Sequence, residues 1–351
     1  MKNKKFFVEN LIKWNRNQNK REMPWKGEHD PYKVWVSEII LQQTRVQQGL
    51  GYYNRFTRAW PDIRSLASAK EQEVYKLWEG LGYYSRCRNL IETAKYINRE
   101  LGGQFPDKYK DILALKGIGS YTAAAIASFA FNQPYAVVDG NVYRILSRFF
   151  GMQLAVNNSK GKKIFAALAE ELLDKSNPGI YNQSIMDFGA VICKPALPLC
   201  AECQLQKRCV AYQQKMVYRL PLKENKIKMR HRFFNYLVIS HGGKVFVNKR
   251  TEKDIWQNLF EFILMETDNM LPDEEFLESS KFTDFIRSRN YRIDKISQIF
   301  KQKLTHQLIF GRFFHITLKT MQKPLNKYKM VSPKGLATLP FPKFISSYLK
   351  D

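Results

Sequence analysis

Apolar and polar positions alternate with two different periods along this chain. From the start to about Tyr212 the apolar residues recur at helical spacing, and beyond about Phe233 they recur at strand spacing. Asp30-Pro31 reads as a helix start, because Asp can cap the first turn and Pro suits it, so a helix is predicted from Tyr32 to about Gln43. Further helices are predicted over Glu71–Glu79 and Arg88–Leu101, separated by Gly80-Leu81-Gly82. The Ala-rich run Tyr121–Phe131 is a helix ended by Gln133-Pro134, and Asp139-Gly140-Asn141 opens another that runs through Phe149. The stretch 213–229 is polar and basic and reads as a linker. Phe233–Ser240 and Val245–Asn248, joined by His241-Gly242-Gly243-Lys244, read as a β-hairpin; Pro272–Ser279 reads as helix and Phe310–Thr320 as strand. The expected architecture is multidomain. An all-α domain over 1–212 precedes a smaller α+β domain over 230–351, with no internal repeat.

Composition adds a partner class. The 351 residues carry 57 Lys+Arg against 32 Asp+Glu, a net charge of +25, and 14% of them are aromatic. Such a field attracts polyanions, and basic residues mixed with Tyr and Trp suit stacking on or wedging between bases. An anionic membrane surface is the other polyanion, but the chain shows no strong basic amphipathic helix and no apolar run long enough to span a bilayer. The reading is a cytoplasmic protein.

Cysteine use is concentrated. Cys193, Cys200, Cys203 and Cys209 form C-x6-C-x2-C-x5-C, and Cys87 stands alone. Four thiolates suit zinc or an iron–sulfur cluster, and the long first gap favours the cluster. Two disulfides or four buried thiols are the alternatives. Leu115-Lys116-Gly117-Ile118-Gly119 joins two predicted helices within 113–125; its glycines allow a tight turn and present backbone N–H groups at a helix start, where a phosphate can bind. Glu38 shares its helix face with Val34, Trp35 and Leu41. Burial there raises a carboxyl's pKa and suits a general acid, although position alone equally allows a Glu reaching water. Asp139 before its helix reads first as an N-cap.

The hairpin, the cysteine loop and the run Ala136-Val137-Val138-Asp139-Gly140-Asn141 together resemble the helix–hairpin–helix DNA glycosylases with a four-cysteine [4Fe–4S] loop. Within that group the chain resembles the adenine DNA glycosylases over nearly its whole length. The matching stretches are Ser37-Glu38 with Leu41-Gln42-Gln43-Thr44, Leu81-Gly82-Tyr83-Tyr84-Ser85-Arg86, Gly119-Ser120-Tyr121-Thr122, the cysteine loop and a C-terminal Nudix-like domain. The resemblance implies base excision repair: removal of adenine mispaired with 8-oxoguanine or guanine in duplex DNA, by a monomer associated with the nucleoid. It implies that Glu38 protonates the leaving adenine and then assists water. Asp139 then stabilises or traps the sugar cation, Asn141 orients Asp139 and the water, and Tyr121 hydrogen-bonds nearby. Trp25 and Gln183 would line the adenine pocket, Gln43 and Tyr83 would wedge into the duplex, Gly117 and Gly119 would meet phosphate, and Thr305 and His306 would recognise the opposite lesion. A related mismatch glycosylase acting on thymine opposite guanine and a non-catalytic iron–sulfur module that binds damaged DNA are the competing readings.

The chain also departs from the pattern. Tyr121 stands where the endonuclease III branch has a catalytic lysine, which argues against Schiff-base chemistry. Gln183 stands where Glu is frequent, Leu304-Thr305-His306 replaces Phe-Ser-His, Gln257 and Asn258 replace glycines, and Tyr143 stands where some members have lysine. The C-terminal domain lacks the glutamate set of a Nudix hydrolase helix, so pyrophosphatase activity is not expected.

Overall fold

A computed structural model of the chain describes residues 2–224, 229–286, 290–321 and 323–350. They divide into two compact units, Met1–Ser68 with Asn89–Asn225 and Ala69–Arg88 with Lys226–Asp351.

The first unit is helical. Its main elements are α1 (Lys2–Gln18), α2 (Pro31–Leu41), α3 (Val46–Ala59), α4 (Ile63–Ser68), and then α5 (Tyr109–Ala114), α6 (Ser120–Phe131), α7 (Gly140–Phe150), α8 (Ser159–Leu172) and α9 (Pro178–Val191). Phe7, Leu11 and Trp14 of α1 pack with Ile145, Leu146 and Phe149 of α7, Phe165 of α8, and Tyr181, Ile185 and Phe188 of α9 in one core. Burying such side chains is worth about 1.5–3 kcal/mol each before the entropy cost of ordering them. The Ala run of α6 lets a neighbouring backbone approach closely: Ala123 to Ala127 are all buried, and α6 packs against α2. Asp30 caps α2 as expected, its carboxylate accepting from the Tyr32 N–H at 2.9 Å behind Pro31 at the first turn.

Two expectations change here. Helix α2 ends at Leu41, two residues early, and Gln43 takes φ 57. The stretch 213–224 is not a free tether. Val217 and Leu220 cluster with Ala211, the Val156 N–H donates to the Leu222 carbonyl at 3.0 Å, and the Arg148 Nε donates to the Leu220 carbonyl at 3.1 Å. Its apolar residues bury against the helical unit, which a polar average over the stretch concealed. Residues 225–228 of the expected linker lie outside the described residues.

The second unit is built on a mixed sheet. Strand β1 (Arg230–His241) runs parallel to β2 (Gln307–Leu318), which also pairs antiparallel with Tyr291–Ile296 and Phe300–Lys303. The expected hairpin is present, but Lys244–Lys249 meets β1 only at its tip, through Ser240 and His241. The rest of β1 pairs with Ile263–Thr267 and with β2. Local alternation identifies a strand without choosing its partners, which explains the difference.

Residues 69–88, expected within the all-α part, pack in this second unit. The Asn258 Nδ2 donates to the Tyr75 hydroxyl at 3.0 Å, and the Lys76 Nζ to the Leu339 carbonyl at 3.0 Å. The Arg88 guanidinium meets the Gln257 amide, so the replacement of a glycine at 257 supplies a contact here. Helical periodicity reports that a segment folds as helix and not which core receives it.

Candidate active site

Helix α2 is buried almost all round, so Glu38 sits in the interior and not on the edge of an amphipathic stripe; it is 6% exposed. Burial pushes its carboxyl up to about 7, the nearby Asp139 charge adds to the rise, and a hydrogen bond from the Tyr121 hydroxyl opposes it. Tyr121, on the first turn of α6, is itself held far above its ordinary range by burial, so it stays a neutral phenol that donates to Glu38.

Asp139 is the N-cap of α7. Its Oδ1 accepts from the Asn141 and Val142 N–H groups at 2.8 Å each, and its Oδ2 accepts from the Asn141 Nδ2 at 2.6 Å. Capping and chemistry are therefore not alternatives for this residue: the bonds that end the helix also aim the carboxylate. Burial raises its pKa, opposed by these three donors and the charge of Arg144. The Arg144 Nη2 donates to the Asn141 Oδ1 at 2.7 Å, and its Nε to the Cys193 carbonyl at 2.7 Å, so a single buried guanidinium ties the start of the cysteine loop to the residue that holds Asp139. Nothing in the sequence singled out Arg144; its position one turn after Asp139–Asn141 is the only available signal.

Glu38, Tyr121, Asp139 and Asn141 line one cavity of about 980 Å³, which also takes in Trp25 and Gln183. That volume accepts a purine nucleotide. Trp25 meets Tyr53 edge-on with ring centroids 5.2 Å apart. The Gln183 Nε2 donates to the Asp187 Oδ1 at 2.9 Å. Gln43 reaches the same cavity from the turn after α2, where it is exposed.

The hairpin has the expected turn. Gly117 takes φ +79, and a Cβ there would stand 2.6 Å from the Asn89 Cβ, so glycine is required. Gly119 differs: its φ of −96 suits any residue, and its value lies in capping α6 with no side chain in the way of the first N–H groups.

In the second unit, Tyr83 takes φ 47 and remains exposed. Gln43 and Tyr83, the two side chains expected to wedge into DNA, thus both stand on left-handed backbone, a strain that collects at functional positions. The Tyr83 hydroxyl shares a 2.7 Å hydrogen bond with the Thr305 Oγ1. Thr305 and His306 form an exposed turn between Phe300–Lys303 and β2, closed by the Leu304 N–H on the Gln307 carbonyl at 2.8 Å.

All five cysteines are free thiols, which removes the disulfide alternative. Cys193, Cys200, Cys203 and Cys209 face one small apolar-walled cavity together with Arg148. Among the described residues no three His, Cys, Asp or Glu side chains converge on a point as a single metal ion requires. Arg208 lies over the Phe6 ring at 4.5 Å and donates to the Lys2 carbonyl at 3.2 Å.

Residues 36–175 match the HhH-GPD superfamily of base excision DNA repair proteins, and residues 235–351 match the NUDIX domain. The adenine DNA glycosylase of Buchnera aphidicola subsp. Schizaphis graminum is 35% identical across 89% of this chain and 85% of its own length. The chain belongs to the adenine DNA glycosylase family. A solved thermostable thymine-DNA glycosylase superposes with a TM-score of 0.56 at 31% identity, covering 61% of this chain and 98% of that one. An endonuclease III–DNA complex at 18% identity and TM-score 0.53, covering 60% of this chain and 96% of that one, shows the same fold for the helical part of this adenine DNA glycosylase relative. No helix among the described residues is long and apolar enough to cross a membrane.

Proposed function

We propose that this chain hydrolyses the N-glycosidic bond of adenine paired with 8-oxoguanine or guanine in duplex DNA, acting as a monomer on nucleoid DNA in the cytoplasm. The observation that carries the reading is Glu38: a buried carboxyl pushed up to about 7, in one cavity with an Asp139 carboxylate held by three N–H donors. An acid and an anion side by side are what departure of a base demands. The adenine leaves the stack to enter the cavity. Protonated Glu38 gives its proton to the base, and the C1′–N9 bond breaks with its electron pair going to the base. Asp139 stabilises the cation left on the sugar. Water then adds to C1′ and loses a proton to the Glu38 carboxylate, which restores the acid. Asn141 keeps Asp139 aimed, and Tyr121 keeps Glu38 oriented. Trp25 and Gln183 border the base; Gln43 and Tyr83 hold the opened duplex; Gly117 and Gly119 take phosphate; Thr305 and His306 read the opposite base.

The donor set suits a [4Fe–4S] cluster, which Cys193, Cys200, Cys203 and Cys209 would hold: four free thiols face one small apolar-walled cavity. Such a cluster would cross-link the loop over 193–209.

Single-turnover excision from duplexes with adenine opposite 8-oxoguanine, adenine opposite guanine and thymine opposite guanine tests the proposal. Adenine release that fails for Glu38→Gln and Asp139→Asn while both variants still bind the duplex supports it. Thymine release in preference to adenine replaces it with the mismatch reading, and binding without release of any base replaces it with the non-catalytic one. Visible absorbance lost in Cys203→Ser checks the cluster.

A further inference from the structure

Asp187 is fully buried, 0% exposed, yet it bears a carboxylate that four side chains address. The Arg21 Nη1 donates to its Oδ1 at 2.7 Å and the Gln183 Nε2 to the same oxygen at 2.9 Å. The Lys26 Nζ and the Asn19 Nδ2 donate to its Oδ2 at 3.1 and 2.8 Å. Arg21, Lys26 and Gln183 all border the 980 Å³ cavity that holds Glu38 and Asp139, whereas Asp187 stands behind them, one turn along α9 from Gln183. A buried carboxylate with two cations is costly to assemble, so the arrangement calls for a reason besides packing.

An amide is the one group here whose polarity depends on its orientation. It offers two donors at one end and an acceptor at the other, and its environment decides which end faces where. A carboxylate accepts only. The Gln183 NH2 is thereby drawn to Asp187, and the amide oxygen turns to the cavity. Asn19 is locked separately, since its Oδ1 accepts from the Arg21 N–H at 3.1 Å and its Nδ2 also reaches the Asn15 Oδ1 at 2.7 Å. Gln183 is the member of the group that Asp187 alone orients.

We propose that Asp187 is a positioning residue that sets the base preference of the cavity: it holds the Gln183 amide oxygen inward, so that the site accepts a purine bearing a 6-amino donor and opposes one bearing a 6-oxo acceptor. The inference rests on the adenine excision proposed above and adds how the base is told apart. It also accounts for an amide at 183 where a carboxylate is frequent. A glutamate needs no orienting; a glutamine does, and its partner stands four residues on.

The test compares single-turnover release of adenine and of hypoxanthine, which carries a 6-oxo group, from otherwise identical duplexes. Wild type is expected to prefer adenine by about a hundredfold or more, as sites built around one hydrogen bond do. Asp187→Asn leaves the Gln183 amide without an acceptor-only partner, and the adenine-to-hypoxanthine ratio is expected to fall at least about tenfold. Gln183→Glu combined with Asp187→Asn moves the carboxylate to the cavity wall, keeps the charge beside Arg21 and Lys26, and removes the need for orientation; it is expected to restore the ratio. Equal losses on both bases in Asp187→Asn, without restoration in the double variant, would mean a purely structural Asp187 and overturn the proposal. Should Asp187→Asn fail to fold, the double variant decides alone: an adenine preference like that of wild type supports the proposal, and none refutes it. Wild type that releases neither base refutes the excision reading itself, and wild type that releases both equally refutes only the role of Asp187.

Discussion

Glu38→Gln should stabilise the protein in alkali while it abolishes excision. Burial raises the Glu38 carboxyl from its ordinary 4.5 to about 7. Because the folded value exceeds the unfolded one, the native state holds the proton more tightly. The stability this contributes is fully present below about pH 4.5 and is lost as the pH rises through about 7. The rise corresponds to roughly 3 kcal/mol. Integrated between about pH 5 and about pH 8.5, the wild type should lose about 2.5 kcal/mol that the uncharged glutamine does not lose. Urea unfolding of both proteins at these two pH values measures the difference. A gap between them that does not widen with pH would refute a buried, proton-holding Glu38. The same value fixes the rate profile. Excision that needs protonated Glu38 should fall about tenfold per pH unit above 7. Tyr121→Phe removes the hydrogen bond that lowers the Glu38 value, so its alkaline limb should move up by about half to one unit.

Asp139→Asn preserves a capping side chain and should keep DNA binding while excision drops by at least about a hundredfold in single-turnover assays; Asp139→Ala should in addition destabilise α7 by about 1 kcal/mol. Gly117→Ala forces a Cβ to 2.6 Å from the Asn89 Cβ at φ +79, so it should weaken binding to undamaged and damaged duplexes alike, read by titration at fixed salt. Tyr83→Phe and Thr305→Val remove opposite halves of a 2.7 Å hydrogen bond, and a double-mutant cycle on binding to 8-oxoguanine duplexes should give a coupling of about 0.5–1 kcal/mol. Thr305→Val with His306→Ala should reduce preference for 8-oxoguanine over guanine in competition binding.

Local chemistry wrote some of this structure into the sequence plainly. Asp30-Pro31 starts its helix because capping depends on a few adjacent residues, and Gly117 marks a turn that admits no side chain. What escaped sequence reading depends on contacts between distant residues. Residues 69–88 follow the core of the second unit through Tyr75 and Lys76, and the apolar residues hidden in 213–224 fold onto the first. Of the chemistry, Glu38 could be singled out by its apolar neighbours, but the Tyr121 bond that orients it crosses from one helix to another. Asp187 stood in view at i+4 from Gln183, a spacing that places two side chains on one helix face, yet only its burial shows that it is more than a surface charge.

Burial raises both carboxyls of the cavity, and what separates their tasks is the number of donors each receives. Asp139 stands where α7 begins, so the helix start supplies two N–H bonds, Asn141 supplies a third and Arg144 adds charge. All of these favour the anion. Glu38 stands in the last turn of α2, where the backbone N–H groups are already committed to the helix, and receives the phenolic hydroxyl of Tyr121. That bond is too weak to offset its burial, and the Asp139 anion raises Glu38 further. The acid therefore depends on the anion beside it. Neutralising Asp139 removes the stabiliser of the sugar cation and also lowers the pKa of Glu38, so the residual rate of Asp139→Asn should decline at lower pH than that of wild type. An alkaline limb that stays in place would show that the two groups titrate independently and that burial alone makes Glu38 an acid.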